Sequence, residues 1–196
     1  MNRETLENIL RHIRRGGLIV YPTDTLYGLG ADIYNETAVR RVFLVKSRPF
    51  SQPLPVAVAT LDEIEKIAVT NQISRKLAKA FLPGKLTLVM YKRNVPDIVT
   101  AGLDKIAVRI PNNRKALSIL SHAGPLTVTS ANIHGKDVPK TVSEIKGQLG
   151  NKDILYIDDG RLEGTPSTIV DCTQTPPKIL REGDITIEDI MEVMEE

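Results

Sequence analysis

Tryptophan is absent, aromatic residues make up only 4% of the chain, and cysteine occurs once. The scarcity of rings leaves an aliphatic core, and 41% hydrophobic residues are enough to build one. It also argues against the exposed aromatic platforms on which single-stranded RNA is stacked. A lone cysteine excludes an intramolecular disulfide. Cys172 ends the β-prone run 168–172 and is expected to be buried as a small hydrophobe. No apolar run approaches the roughly 18–20 residues that span a membrane. Residues 1–15 form a charged amphipathic pattern without the apolar centre of a signal peptide, which places the protein in the cytoplasm. His12, His122 and His134 are scattered, with no cysteine or histidine at ligand spacing, so no dedicated metal site is expected. Walker loop, dinucleotide fingerprint and Ser/His/Asp signature are all missing. A nucleotide would have to be held by dispersed Lys, Arg, Ser and Asn side chains, with Mg²⁺ accompanying its phosphates.

What is present begins with charge. The formal net charge of +2 hides an asymmetry, because residues 184–196 carry six acids and no Lys or Arg. The remaining 26 bases stand against 18 acids, a balance of +8 over residues 1–183. That body favours an anionic partner such as a nucleotide or RNA, although an ordinary solvated surface has the same composition. The length of 196 residues fits one domain, residues 1–196.

The most distinctive stretch is Tyr21-Pro22-Thr23-Asp24-Thr25-Leu26-Tyr27-Gly28-Leu29-Gly30. A short apolar strand precedes it, and Pro22 should end that strand. Three side-chain oxygens in a row, followed by two glycines, suit a ligand loop at a strand's carboxyl end; a threonine-rich turn is the plain alternative. Around it, apolar spacing predicts helices over 5–15, 35–46, 61–68, 71–81, 113–122 and 141–149, and a last acidic helix capped by Thr186. Strands are expected over 17–20, 54–59, 85–91, 106–110, 126–129, 154–157, 168–171 and 179–181, with a loop over 94–102. Strands and helices interleave without strict βαβ regularity. The expected class is α/β, a twisted open mixed sheet with flanking helices.

Several polar residues stand where chemistry could use them. Lys46 and Arg48 lie two apart at a helix end before a proline-rich loop, placed to hold phosphate or to complement the helix dipole. Ser130 and Asn132 follow a strongly β stretch, as ligand-orienting groups or as a turn. Arg109 interrupts the apolar strand Ile106-Ala107-Val108-Arg109-Ile110, and a buried arginine needs a partner. The partner is either a protein carboxylate or a bound ligand's carboxylate. Pro111 places Arg109 near the strand's carboxyl edge, which favours the ligand. Asp24 is either a general base or, more commonly for a loop carboxylate, a turn cap.

In order along the chain stand Tyr21 to Leu29, Lys46-Ser47-Arg48-Pro49, Pro83-Gly84-Lys85-Leu86-Thr87, Val108-Arg109-Ile110-Pro111, Ser130-Ala131-Asn132, Pro166-Ser167-Thr168-Ile169-Val170-Asp171 and Leu180-Arg181-Glu182-Gly183. Together they strongly resemble the YrdC/Sua5 family of threonylcarbamoyl-AMP synthases, in a short form without the additional C-terminal Sua5 domain. The resemblance implies a YrdC-like fold with a large basic cavity. It implies condensation of L-threonine, bicarbonate and ATP to L-threonylcarbamoyladenylate and pyrophosphate, for the tRNA threonylcarbamoyl-transfer complex downstream. By motif, Thr25, Arg109, Ser130 and Ser167 resemble the threonine-binding positions. Lys46, Arg48, Gln52, Lys105, Asn132, Lys140 and Arg181 resemble the ATP-binding ones, and Lys46, Arg48, Ser130 and Asn132 the catalytic set. Ala57 stands where longer members often carry a histidine, and Gln52 replaces the commoner Asn or Lys. Two rival readings use the same fold: a module that binds RNA or tRNA directly, and a carbamoyl-transfer domain related to hydrogenase maturation.

Overall fold

A computed structural model describes residues 1–150 and 153–195 of the chain. In order the elements are α1 (Arg3–Arg14), β1 (Leu18–Pro22), β2 (Tyr27–Gly30), α2 (Glu36–Lys46), β3 (Val56–Ala57), α3 (Leu61–Ile67), β4 (Ala68–Val69), α4 (Gln72–Phe81), β5 (Leu86–Lys92), α5 (Asp97–Thr100) and β6 (Lys105–Arg109). There follow α6 (Arg114–Ala123), β7 (Leu126–Thr127), β8 (Thr129–Ser130), α7 (Val142–Leu149), β9 (Ile154–Tyr156), β10 (Thr168–Asp171), β11 (Lys178–Arg181) and α8 (Ile187–Glu195). The mixed α/β class is as expected. The strands, however, are shared between two hydrogen-bonded sheets, β8-β2-β1-β9 and β11-β10-β5-β6-β3-β7, with β4 pairing on β5.

Three local expectations change. The stretch 21–30 does not stay irregular after Pro22: only residues 23–26 turn, and β2 returns antiparallel to β1 with Pro22 opposite Tyr27. Its glycines serve close packing. A Cβ at Gly30 would sit 2.7 Å from Cε1 of Tyr21, a residue buried in β1. The strand expected over 54–59 shrinks to Val56–Ala57. Pro53 and Pro55 cannot donate to a ladder, and Leu54 and Val58 donate instead to Val99 O and Arg109 O. The loop over 94–102 contains the short helix α5.

The fourth difference matters most for the site. The expected strand 126–129 divides: β7 pairs with β3 in one sheet and β8 with β2 in the other. Thr127 is the node of that crossing. It is fully buried, its backbone N–H donates to Ala31 O at 2.9 Å, and its carbonyl accepts from the Tyr21 hydroxyl at 3.1 Å. Its own hydroxyl accepts from Ala31 N–H and donates to Leu29 O, both at 3.0 Å. Apolar packing reinforces the arrangement. One cluster, including Ile9, Ile13, Tyr21, Ala57, Ile119 and Leu126, seats α1 and α6 on one side, and a larger cluster holds the remaining helices.

Thr127→Val keeps the β-branched shape but deprives the buried Ala31 N–H of its acceptor. We expect a loss of about 1–3 kcal/mol in denaturant unfolding. A change below about 0.5 kcal/mol would show that the hydroxyl does not tie the crossing.

Candidate functional site

The two sheets enclose a cavity of about 580 Å³. One wall comes from the 23–26 turn with Tyr27, Gly28 and Ser130; the other from β5, β6, β10 and β11. The expectation of a site at the strands' carboxyl edge is too narrow. Alternate residues of a strand share one face, and the cavity runs along the face that carries Lys105, Ala107 and Arg109 on β6. Thr87 and Val89 on β5, and Ser167, Ile169 and Asp171 at β10, continue the same wall.

Seven of the sequence-predicted residues meet there: Thr25, Arg48, Lys105, Arg109, Ser130, Ser167 and Arg181. At one part of the wall the side chains are charge-paired. Arg109 is 5% exposed, and its Nη2 donates to Asp24 Oδ1 at 2.7 Å and to Gly84 O at 3.3 Å. Its Nη1 donates to Thr25 Oγ1 at 3.0 Å. Burial lowers the guanidinium's pKa, and the Asp24 carboxylate and Tyr21 oppose that shift. The reading that reserved Arg109 for a ligand alone is therefore corrected: its partner is a protein carboxylate, 85 residues upstream. Asp24 is neither a bare base nor a turn cap. The turn is closed by Thr23, whose hydroxyl donates to Leu26 O at 2.6 Å and accepts from the N–H groups of Thr25 and Leu26. Lys105 is likewise paired, to Asp171 at 2.9 Å. Burial raises the Asp171 pKa, but donors from Thr173 and Lys105 outweigh it and hold the group below its ordinary value.

Arg48 and Arg181 differ. Neither has an acidic partner among the described residues. Arg48, half-buried, donates to Gln52 O at 3.3 Å and Pro53 O at 2.9 Å. Arg181, exposed at the cavity edge, grips Ser167 O through Nε and Nη2 at 3.0 and 2.8 Å. Ser167 is thereby fixed, and its hydroxyl shares a hydrogen bond of 2.8 Å with Thr87. Burial lowers both guanidinium pKa values.

Four predicted residues lie off the cavity wall. Lys46 is 1% exposed; its ammonium donates to Ser130 O, to Asn132 O at 2.7 Å and to Asn132 Oδ1 at 3.1 Å. It pins the Ser130–Asn132 turn from behind. Burial and the neighbouring Arg48 charge push its pKa down to about 7. Asn132 is also committed, accepting from the Ser130 hydroxyl at 2.7 Å and donating to Lys136 O at 2.7 Å. Gln52 meets Arg48 through its carbonyl. Lys140 is ion-paired to Glu163. Ala57, buried in β3, lies in register beside Arg109. Asp24 as the arginine's partner, Thr87 and Asp171 were missed; the period-2 face of 105, 107 and 109, continued on the neighbouring strands, is the sequence signal for the wall. Among the described residues no group of three or more His, Cys, Asp or Glu could hold a metal ion.

A family model, Sua5_yciO_yrdC, described as telomere recombination, matches residues 11–183. The chain belongs to the Sua5/YciO/YrdC family. It is 39% identical to the threonylcarbamoyl-AMP synthase of Pyrococcus abyssi, covering 94% of this chain and 55% of that protein. With the putative threonylcarbamoyl-AMP synthase of Methanocaldococcus jannaschii it shares 40% identity, over 95% of this chain and 89% of that one. The crystal structure of P. abyssi Sua5 complexed with L-threonine superposes with a TM-score of 0.95 at 37% identity, covering 99% of this chain and 58% of that chain. The chain thus spans little more than half of the Pyrococcus protein and most of the Methanocaldococcus one. No helix among the described residues is long and apolar enough to cross a membrane.

Arg109→Met removes one member of a pair whose side chains are only 7% and 10% exposed. Leaving Asp24 buried without its countercharge should cost roughly 3–5 kcal/mol in unfolding free energy. A variant within about 1 kcal/mol of the parent would mean that the pair does not support the fold.

Proposed function

We propose that this chain is a threonylcarbamoyl-AMP synthase, joining L-threonine, bicarbonate and ATP into L-threonylcarbamoyladenylate with release of pyrophosphate. The observation that carries the reading is the division of charge within one cavity. The Arg109 region is hydroxyl-lined and charge-balanced by Asp24, suited to a small hydroxylated amino acid. Arg48 and Arg181 border the same space with no acidic partner among the described residues, suited to phosphate.

The chemistry then requires little from covalent catalysis. Threonine's amine, once deprotonated, takes up the carbon of bicarbonate as a carbamate with loss of water. A carbamate oxygen attacks the α-phosphorus of ATP, and the bond to the β-phosphate oxygen breaks to release pyrophosphate. The protein must align the two substrates and place positive charge where negative charge accumulates. Arg109 and Thr25 hold the amino-acid end, and Arg48 and Arg181 the phosphates. Lys46 keeps Ser130 in place between them. Asp171, the carboxylate among the wall residues, is engaged by Lys105 and Thr173, so it does not offer a free metal ligand. Mg²⁺ enters on this reading as part of the nucleotide substrate. The product would carry the threonylcarbamoyl group to tRNA adenosine through a downstream transfer complex, in a cytoplasmic setting.

The test is pyrophosphate release from ATP by the purified protein. It should require both threonine and bicarbonate. Arg48→Ala should lower the rate about ten- to over a hundredfold while leaving the fold intact, the usual cost of a lost charge-assisted contact. Release that is indifferent to threonine, or a folded Arg48→Ala protein of normal rate, would overturn the assignment of substrate or of Arg48.

A further inference from the structure

The Asp24–Arg109 pair is incomplete in a way that points to its ligand. A guanidinium has five N–H groups. Two on Nη2 go to Asp24 Oδ1 and Gly84 O, and one on Nη1 goes to Thr25. The Nε–H, though buried, has no partner among the described residues. On the other side of the pair, Asp24 Oδ2 is buried with no donor either. Buried polar atoms are nearly always satisfied, and each orphan is destabilising. Here a donor and an acceptor are unspent on the two members of one ion pair, whose own contact runs from Nη2 to Oδ1.

Charge balance says what could fill them together. The pair is neutral as a unit. A simple carboxylate bound at Arg109 would leave a net negative charge in a buried region, with Asp24 repelling it. A zwitterion restores neutrality: its carboxylate uses the free guanidinium N–H groups, and its ammonium gives Oδ2 a donor. Asp24 reaches the wall through Arg109, a lining residue whose Nη2 lies 2.7 Å from Asp24 Oδ1, so Oδ2 belongs to a carboxylate in direct contact with that wall. We propose that Asp24 is the ammonium-binding residue of the site, and that the Asp24–Arg109 pair selects α-amino acids over the corresponding hydroxy acids. This rests on the amino-acid reading of the cavity given above and adds to it a residue and a rule of selection.

The test compares L-threonine with (R)-3-hydroxybutyrate, which keeps carboxylate, hydroxyl and methyl but lacks the amine. Calorimetric titration of the wild-type protein should show threonine bound at least about tenfold tighter. In Asp24→Asn, which still offers Arg109 an oxygen, threonine should weaken roughly ten- to a hundredfold while hydroxybutyrate, freed of the like charge, should bind at least as well as in the wild type. Equal wild-type affinity for the two ligands overturns the proposal, and needs no variant to fold. So does an equal loss for both in Asp24→Asn, which would make Asp24 a support for Arg109 alone. If neither ligand binds the wild type and pyrophosphate release does not depend on threonine, the amino-acid reading itself falls. Normal threonine-dependent release with no preference for the amine would remove only Asp24.

Discussion

The buried ion pair between Asp24 and Arg109 is the contact on which the site depends. It joins the turn between β1 and β2, in one sheet, to the last residue of β6, in the other. Together with the hydrogen bond from Arg109 to Thr25, it ties the two sheets across the cavity at a point away from the crossing at Thr127. The same contact sets the electrostatics. Arg109 brings a positive charge into the wall, and Asp24 cancels it before any ligand arrives. Buried pairs of this kind add little net stability over apolar packing but are costly to break. A pair that ties the two sheets and still has unspent hydrogen-bonding capacity is suited to serve fold and recognition together.

A second device works with neutral oxygens. Lys46 gives its ammonium to two carbonyls and an amide oxygen, all from the Ser130–Asn132 turn. That turn begins at β8, on the far side of the sheet crossing, so Lys46 fixes where Ser130 presents itself to the cavity. Arg48, two residues on, has left the helix and lines the space directly. The two cations of one short motif thus have different tasks, one behind the wall and one in it. Of the cations that line the cavity, Arg48 and Arg181 have no acidic partner among the described residues, and the cavity is divided accordingly into a balanced region and a cationic one.

Much of this was legible in the sequence, and the exceptions have physical causes. Helix periodicity located α1, α2, α4 and α6 to within a few residues, because an amphipathic stripe is a local signal. The same periodicity held a further message: Val39, Val42, Phe43 and Lys46 follow the i, i+3, i+4, i+7 stripe, which puts Lys46 on the buried face. The sequence reading rested on its charge; its position on the buried face sets it against the Ser130–Asn132 turn. The partner of Arg109 was not legible. A charge inside a strand announces that a countercharge exists, but Asp24 is distant in sequence and sits in a turn that has its own local explanation. The division of strand 126–130 between two sheets was hidden for a related reason. Pairing is a long-range property, and a continuous β-prone run looks the same whether it serves one sheet or two. Motif order carried the family; it could not say which motif residues face the cavity.

The central claim is that one cavity holds a charge-balanced amino-acid region and a cationic phosphate region. Salt separates the two, since buried neutral pairs are weakly screened while exposed cations are strongly screened. The most direct measurement is the affinity for L-threonine and for ATP, each titrated separately as ionic strength rises from about 0.05 M to about 0.5 M, where the Debye length falls severalfold. The account predicts that ATP affinity declines by about tenfold or more and that threonine affinity moves by less than about twofold. Threonine binding that weakens with salt as steeply as ATP binding would contradict it.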